Sequence, residues 1–250
     1  MSPIIVEALR ESRHLLVFTG AGVSAESGIP TFRDALTGLW ARFDAARLAT
    51  PEAFAADPEL VWGWYEWRRQ RVLRAAPNPA HRAIAELAGR VPRLTLVTQN
   101  VDDLHERAGS AAVIHLHGSL HTPRCFVCAA PYAGLGSELD EPEEGRRLAP
   151  PRCEHCAGAV RPGVVWFGES LPQAALQQAF EAAAQCDLLL SIGTSGQVYP
   201  AAQVPQIAVQ AGATVVHINP QSQSCSGARE YALQGAAGVL LPQLLAAAFA

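Results

Sequence analysis

Residues 14–34 read "HLLVFTGAGVSAESGIPTFRD". The apolar run "HLLVF" ends in a loop that sets Gly20, Gly22 and the small Ala25 at GxGxxG/A spacing, ahead of a segment with helical pattern. A strand feeding such a loop can bring backbone N–H groups up to a pyrophosphate at the start of a helix. The same residues also suit a tight strand-to-helix turn that holds nothing. A hydride-transferring dinucleotide fold places an acidic residue about 20 positions on, at the end of a second strand, to hold the adenosine ribose. Here "SGIPTFRD" leads into helical sequence instead, and Asp44, at roughly that distance, sits in the helix-like "ARFDAARLA". The loop predicts a dinucleotide-like ligand and a separate task for the residues that follow it.

Outward from this stretch, "RLTLVT", "AVIHLH", "DLLLSIG", "ATVVHI" and "AGVLL" are further candidate strands, and 3–12, 79–89, 172–185 and 199–211 are candidate helices. Short apolar runs alternating with helical patterns predict an α/β fold, a Rossmann-like doubly wound parallel sheet with ligands at the strand carboxyl ends. Two stretches break the rhythm. Residues 36–78, with "VWGWYEWRRQRV", contain no strand-like run and predict a helical insertion. Residues 121–160 carry two CxxC pairs around "GLGSELDEPEEGRRLAPP" and predict a small zinc-binding module. That leaves 1–35, 79–120 and 161–250 for the dinucleotide-binding domain.

In a chain of 250 residues, 49% hydrophobic residues are ample for a core. The net charge of -4 supplies no basic footprint for nonspecific nucleic-acid or anionic-membrane binding. "MSPIIVEALR" lacks the basic start and apolar stretch of a signal peptide, and no later segment is a long uninterrupted apolar run. A cytoplasmic location, with neither nucleic acid nor membrane as partner, is expected. Of six cysteines, Cys125 and Cys128, then Cys153 and Cys156, form CxxC pairs separated by 24 residues. Four thiolates suit a closed tetrahedral zinc site with no open position for water, hence a structural metal. A redox CxxC is the alternative, though two pairs bounding one insertion favour zinc. His155, inside the second pair, is a competing ligand for a shell that four cysteines already complete. Cys186 reads as a small buried hydrophobe.

Taken together with the opening stretch, "TQNVDDLH" at 98–105, "HLHGSL" at 115–120, the cysteine pairs, "GTS" at 193–195 and "HINP" at 217–220 resemble the sirtuin family of NAD-consuming protein deacylases. The ordered set spans nearly the whole chain, and no single motif carries it. The resemblance implies NAD as a co-substrate that is cleaved, one structural zinc ion, and an acyl-lysine peptide entering between the two domains. On that basis Gly20, Ala21 and Gly22 approach the NAD phosphates, and Pro30, Phe32 and Arg33 belong to a loop over the ribose and nicotinamide. Gln99, Asn100 and Asp102 hold the nicotinamide ribose and carboxamide, with Asn100 and Asp102 counted among the catalytic residues. Gly193, Thr194, Ser195, Asn219 and Ala237 contact phosphate, ribose or adenosine. Asp102 also suits a plain helix cap, and "NPQS" and "GAAG" also suit plain turns.

His117 matches the family's catalytic base, a task fitted to a histidine pKa near neutrality; His115 is taken as a structural neighbour. The implied chemistry is attack of the acyl oxygen on the anomeric carbon with loss of nicotinamide. His117 then assists a ribose hydroxyl, and water releases lysine and acyl-ADP-ribose.

Tyr65 and Arg68 in "WYEWRR" lie three apart and share a helical face, where a phenol and a planar guanidinium can converge on one anion. From the residues alone, an amphipathic helix with packed aromatics and solvated arginines is the better fit. The resemblance extends here to the desuccinylase and demalonylase branch (class III), through Tyr65, Arg68, "PNPAHRAIAEL" and the small Ala49 of "LATP". It implies that Tyr65 and Arg68 bind the distal carboxylate of succinyl-lysine. "VVWFGE" at 164–169 matches the family's peptide-pairing segment, with Val164, Trp166 and Phe167 lining the acyl-lysine tunnel; ordinary core packing is their alternative. The expected activity is removal of acetyl and succinyl groups, with malonyl a further candidate. ADP-ribosyl transfer to protein and an NAD-sensing binding module are the competing classes.

Overall fold

The computed structural model describes residues 2–31, 41, 43–136, 142–221, 225 and 227–249. Its strands are β1 (Leu15–Thr19), β2 (Leu94–Thr98), β3 (Val113–His115), β4 (Gly118–Cys125), β5 (Val160–Val164), β6 (Leu188–Ile192), β7 (Thr214–Asn219) and β8 (Glu230–Gln234). Six of them pair in parallel in the order β3-β2-β1-β6-β7-β8. Every residue of β1 and β6 is buried, as a parallel sheet covered on both faces requires. The side chains of β1 divide with a period of two. Leu15 and Val17 join one apolar cluster with Ile5, Ile84 and Leu241, while Leu16 and Phe18 join another with Ala183 and Val204.

The helices on the first face are α1 (Pro3–Glu11), α6 (Pro79–Leu87) and α10 (Ala237–Phe249); α8 (Gln173–Gln185) and α9 (Gln203–Gln210) cover the second. All four expected helices are present, α9 starting later than its pattern suggests. One expected strand is not. "AGVLL" opens α10, because Ala237, Leu241, Leu244 and Ala248 recur at helical spacing and are the residues that become buried. The sixth sheet strand is instead β8, "EYALQ", an edge strand whose residues stay half-buried or exposed. With one neighbour and one covered face, it needs no continuous apolar run.

Residues 44–74 form α3 (Ala45–Leu48), α4 (Pro51–Ala56) and α5 (Pro58–Arg74), divided where Asp44, Thr50 and Asp57 each accept an N–H of the helix that follows. Asp44 is therefore an N-cap, with its carboxylate 2.9 Å from Ala46 N. β4 and β5 form a separate antiparallel pair. Phe54, Trp62, Trp64, Tyr65 and Trp67 pack with Leu120, Val160, Val164 and Trp166, so the helices and the cysteine-bearing hairpin share one apolar core. Among the described residues, no helix is long and apolar enough to cross a membrane.

Candidate functional site

The strand order reverses between β1 and β6, which opens a crevice beyond their carboxyl ends. The two strand exits are pressed backbone against backbone. Gly20 N–H donates to Ile192 O at 3.0 Å and Gly22 N–H to Gly193 O at 2.8 Å. A Cβ on Gly22 would stand 2.7 Å from Gly193 Cα, and one on Gly193, at φ 62, would stand 2.3 Å from Val23 N. The glycines are thus demanded by the protein's own backbone. The helix after them, α2 (Gly22–Ala25), is a single turn. Ala21 is exposed, and its N–H finds no acceptor among the described residues.

Behind this loop lies a buried polar network whose hydrogens can be placed. Asn78 caps α6, and its N–H donates to His81 Nδ1 at 3.3 Å. The lone pair therefore sits on Nδ1 and the hydrogen on Nε2, which faces Ser24 Oγ at 3.4 Å. Asn100 Nδ2 also donates to Ser24 Oγ, at 3.1 Å, and the Ser24 hydroxyl donates to Asp102 Oδ2 at 3.0 Å. Asp102 Oδ1 accepts Leu104 N–H at 3.1 Å, the first N–H of α7 (Leu104–Arg107), whose N-cap position is Asp103, while the other oxygen of Asp102 holds Ser24. Burial raises the Asp102 pKa, against both of those hydrogen bonds. Nearby, the Thr19 hydroxyl donates to Thr98 Oγ1 at 2.8 Å, so its oxygen accepts from His105 Nε2 at 3.0 Å. Burial holds His81 at about 4 and, with the charges of His81 and His115 adding, His105 at about 3.

At the end of β2, Gln99 Nε2 donates to Thr194 Oγ1 at 2.9 Å, and Asn219 Nδ2 reaches Thr194 O at 3.3 Å. The exits of β1, β2, β6 and β7 are thereby joined around one crevice. His117 hangs above it, Nδ1 3.0 Å from Gln99 O. Burial lowers its pKa, partly offset by that hydrogen bond. His115 holds Asn100 O at 3.1 Å and Glu106 Oε1 at 2.7 Å. Burial lowers the His115 pKa, but the Glu106 carboxylate more than compensates, leaving it raised. The following chain closes the crevice: Val165 N–H donates to His117 O and Phe167 N–H to Ala49 O.

On α5, Tyr65 is buried and Arg68 half-buried, with the guanidinium carbon 5.7 Å from the Tyr65 ring centroid and 5.1 Å from that of Trp64. Burial pulls the Arg68 pKa down, against Tyr65 and Asp102. The next arginine, Arg69, is also buried and pairs with Glu66 at 2.8 Å.

The four cysteine Sγ atoms all lie within 4.8 Å of one another, with separations of 3.4 Å (Cys125–Cys156), 3.6 Å (Cys128–Cys153) and 3.5 Å (Cys128–Cys156). A tetrahedron with metal–sulfur bonds of about 2.3 Å has edges of about 3.8 Å, so the donor set fits zinc. Each pair is a tight turn closed the same way. Ala129 N–H returns to Cys125 O and Ala157 N–H to Cys153 O, with φ 58 at Ala129 and φ 56 at Ala157. Val127 and Cys128 N–H both point at Cys125 Sγ, where a thiolate would be stabilised.

A model of the Sir2 family matches residues 20–200, from the glycine loop past His117 and all four cysteines. The chain belongs to the Sir2 family. It is 66% identical over 245 residues to NAD-dependent protein deacylase 1 of Pseudomonas aeruginosa, covering 98% of each chain. It is 65% identical over 243 residues to the NAD-dependent protein deacylase of Methylococcus capsulatus, covering 97% of this chain and 95% of the relative. Among solved structures, a Sir2 homologue in complex with NAD superposes with a TM-score of 0.86 at 46% identity, covering 98% of this chain and 93% of that one. A Sir2 protein with a p53 peptide and NAD+ superposes with a TM-score of 0.83 at 30% identity and 98% coverage of both.

In this Sir2-family chain the structure gathers Gly20, Gly22, Gln99, Asn100, Asp102, His117, Gly193, Thr194 and Asn219 around one crevice. Ser195 is exposed beside it and Pro30 half-buried. Ala237 is different: its side chain is packed in the core at the start of α10. Phe32 and Arg33 lie outside the described residues. Val164 and Trp166 are buried in the second core, while Phe167 is 47% exposed. Ser24, His81, His105, Thr19 and Thr98 were not expected in the polar network. Their one signal in the sequence is polar residues at the positions that an apolar helix or strand turns inward, as His81 does between Ala80 and Ala83.

Proposed function

We propose that this Sir2-family chain is an NAD-dependent protein-lysine deacylase that removes acetyl and succinyl groups, giving nicotinamide and O-acyl-ADP-ribose. The observation that carries the reading is the His117 hydrogen bond. A carbonyl only accepts, so Nδ1 bears the hydrogen and Nε2 keeps the lone pair that a general base needs. NAD supplies an anomeric carbon with a good leaving group, and the chain's residues hold and orient it. The Ala21 N–H is available to a phosphate oxygen. Asn100 and Asp102, pinned through Ser24, present amide and carboxylate to the nicotinamide side. Gln99, Thr194 and Asn219 line the far side, with Gly193 and Ser195 beside them and Ala237 contributing backbone only. Pro30, Phe32 and Arg33 take the ribose and nicotinamide contacts that the family resemblance assigns them, Phe32 and Arg33 lying outside the described residues.

Tyr65 and Arg68 take the distal carboxylate of the acyl group, with Val164, Trp166 and Phe167 forming the lysine tunnel. Zinc held by Cys125, Cys128, Cys153 and Cys156 is structural, and CxxC pairs that serve a metal instead of disulfides suit a reducing compartment, which we take to be the cytoplasm. The test is mass spectrometry of acetyl- and succinyl-lysine peptides incubated with the protein, with and without NAD. Free lysine together with acyl-ADP-ribose, only when NAD is present, is expected. Deacylation without NAD, or ADP-ribose left on protein, overturns the reading.

A further inference from the structure

Trp166 Nε1 lies 3.0 Å from Tyr65 Oη, with both side chains 2% exposed. An indole N–H only donates, so the phenol oxygen is its acceptor and the phenol hydrogen must point elsewhere. Among the described residues the indole is the one hydrogen-bond partner of Tyr65, so none of them accepts that hydrogen. Burial pushes the Tyr65 pKa up to about 12, with Arg68 and the indole acting against it, so the hydrogen stays on.

The indole itself cannot swing away. The Arg161 guanidinium stacks 3.5 Å from the centre of its ring, and Glu169 grips Arg161 through both oxygens. Glu169 also accepts Trp166 N–H at 2.8 Å, and Phe54 packs against the ring at 5.4 Å.

We propose that Trp166 is a positioning residue for acyl-group selectivity: its indole N–H occupies the Tyr65 oxygen and so turns the phenol hydrogen toward the acyl group beside Arg68. Trp166 then donates to Tyr65, and Tyr65 and Arg68 offer two converging donors to an acceptor-only carboxylate and nothing to an acetyl methyl. The inference rests on the deacylase reading above.

The test is Trp166→Phe, which keeps an aromatic ring under Arg161 and removes the N–H. The ratio of desuccinylation to deacetylation, compared as kcat/KM, is expected to fall about fivefold, mainly through KM for the succinyl peptide, the scale of one lost hydrogen bond. In a Tyr65→Phe background the same substitution should leave the ratio where it is. Equal losses for both peptides, or a further fall of the ratio without the Tyr65 hydroxyl, overturn the proposal.

A second readout is independent of turnover. The indole 15N–1H resonance of Trp166, assigned by its loss in Trp166→Phe, should move upfield and lose exchange protection in Tyr65→Phe; an unmoved resonance overturns the proposal. Wild-type protein that removes neither group with NAD defeats the deacylase reading and the inference together. Removal of acetyl alone defeats the inference together with the succinyl half of that reading and leaves the NAD-dependent deacylase standing.

Discussion

His117 Nδ1 sits 3.0 Å from the carbonyl oxygen of Gln99, a residue whose own N–H is bound by Thr19 O at the end of β1. The base is thus tied by its ring to the exit of β2 and, through Gln99, to the end of β1. Replacing His117 by Ala should lower kcat by about 10²–10⁴-fold. Because burial lowers its pKa, and the neutral form is the base, activity should be full above that pKa and fade as pH falls through it. The acid limb of the kcat/KM profile should therefore lie below 6.5; a limb at or above 7 would assign the base elsewhere.

Arg68→Met should damage desuccinylation about 10- to 100-fold more than deacetylation, the scale of hydrogen bonds to a charged group. Parallel kinetics with the two peptides decide it, and equal losses would remove Arg68 from the acyl pocket.

His81 and His105 are fully buried and neutral, with folded pKa values of about 4 and about 3 against an ordinary 6.5. The unfolded chain takes up these protons first as pH falls. Their stabilising contribution is complete above 6.5 and declines through the window from 6.5 toward 4, by about 1.4 kcal/mol per pH unit for each histidine. Urea denaturation at pH 7, 6 and 5 should show this slope, and His105→Gln should flatten it. A slope unchanged in that variant would rule out His105 as its source.

Gly193 and Gly196 share a positive φ but not a setting. A Cβ at 193 meets the α2 backbone at 2.3 Å, whereas one at 196 meets nothing within 4 Å. Gly196→Ala should cost about 1 kcal/mol, the αL penalty alone. Gly193→Ala should cost roughly 3 kcal/mol, because backbone must move as well. Thermal denaturation of the two variants compares them, and similar costs would contradict the crowding.

Stripping the metal with a chelator should lower the melting temperature and abolish activity, since the cysteine turns share a core with α5. Retained activity in verified zinc-free protein would show that the turns hold without it. Ala129→Gly and Ala157→Gly, which relieve αL strain, should each stabilise the metal-bound protein by about 1 kcal/mol.

Local pattern alone determined the parallel sheet, four of the helices and the cysteine quartet, because continuous apolar runs, 3.6-residue periodicity and CxxC spacing are properties of short segments. It misplaced the edge strand, since β8 is defined by a single neighbour and "AGVLL" is equally apolar as strand or helix until Leu244 and Ala248 are seen to share its face. Tertiary structure decided what no segment contains. Gly193 must meet Gly22 before either needs to be glycine, and His81 must reach Ser24 across 57 residues before its Nε2 hydrogen has an acceptor. Trp166 must find Tyr65 across 101 residues before that phenol has a direction. Hydrogen-bond direction and backbone contact depend on partners brought together by the fold, so they appear only once the chain has closed on itself.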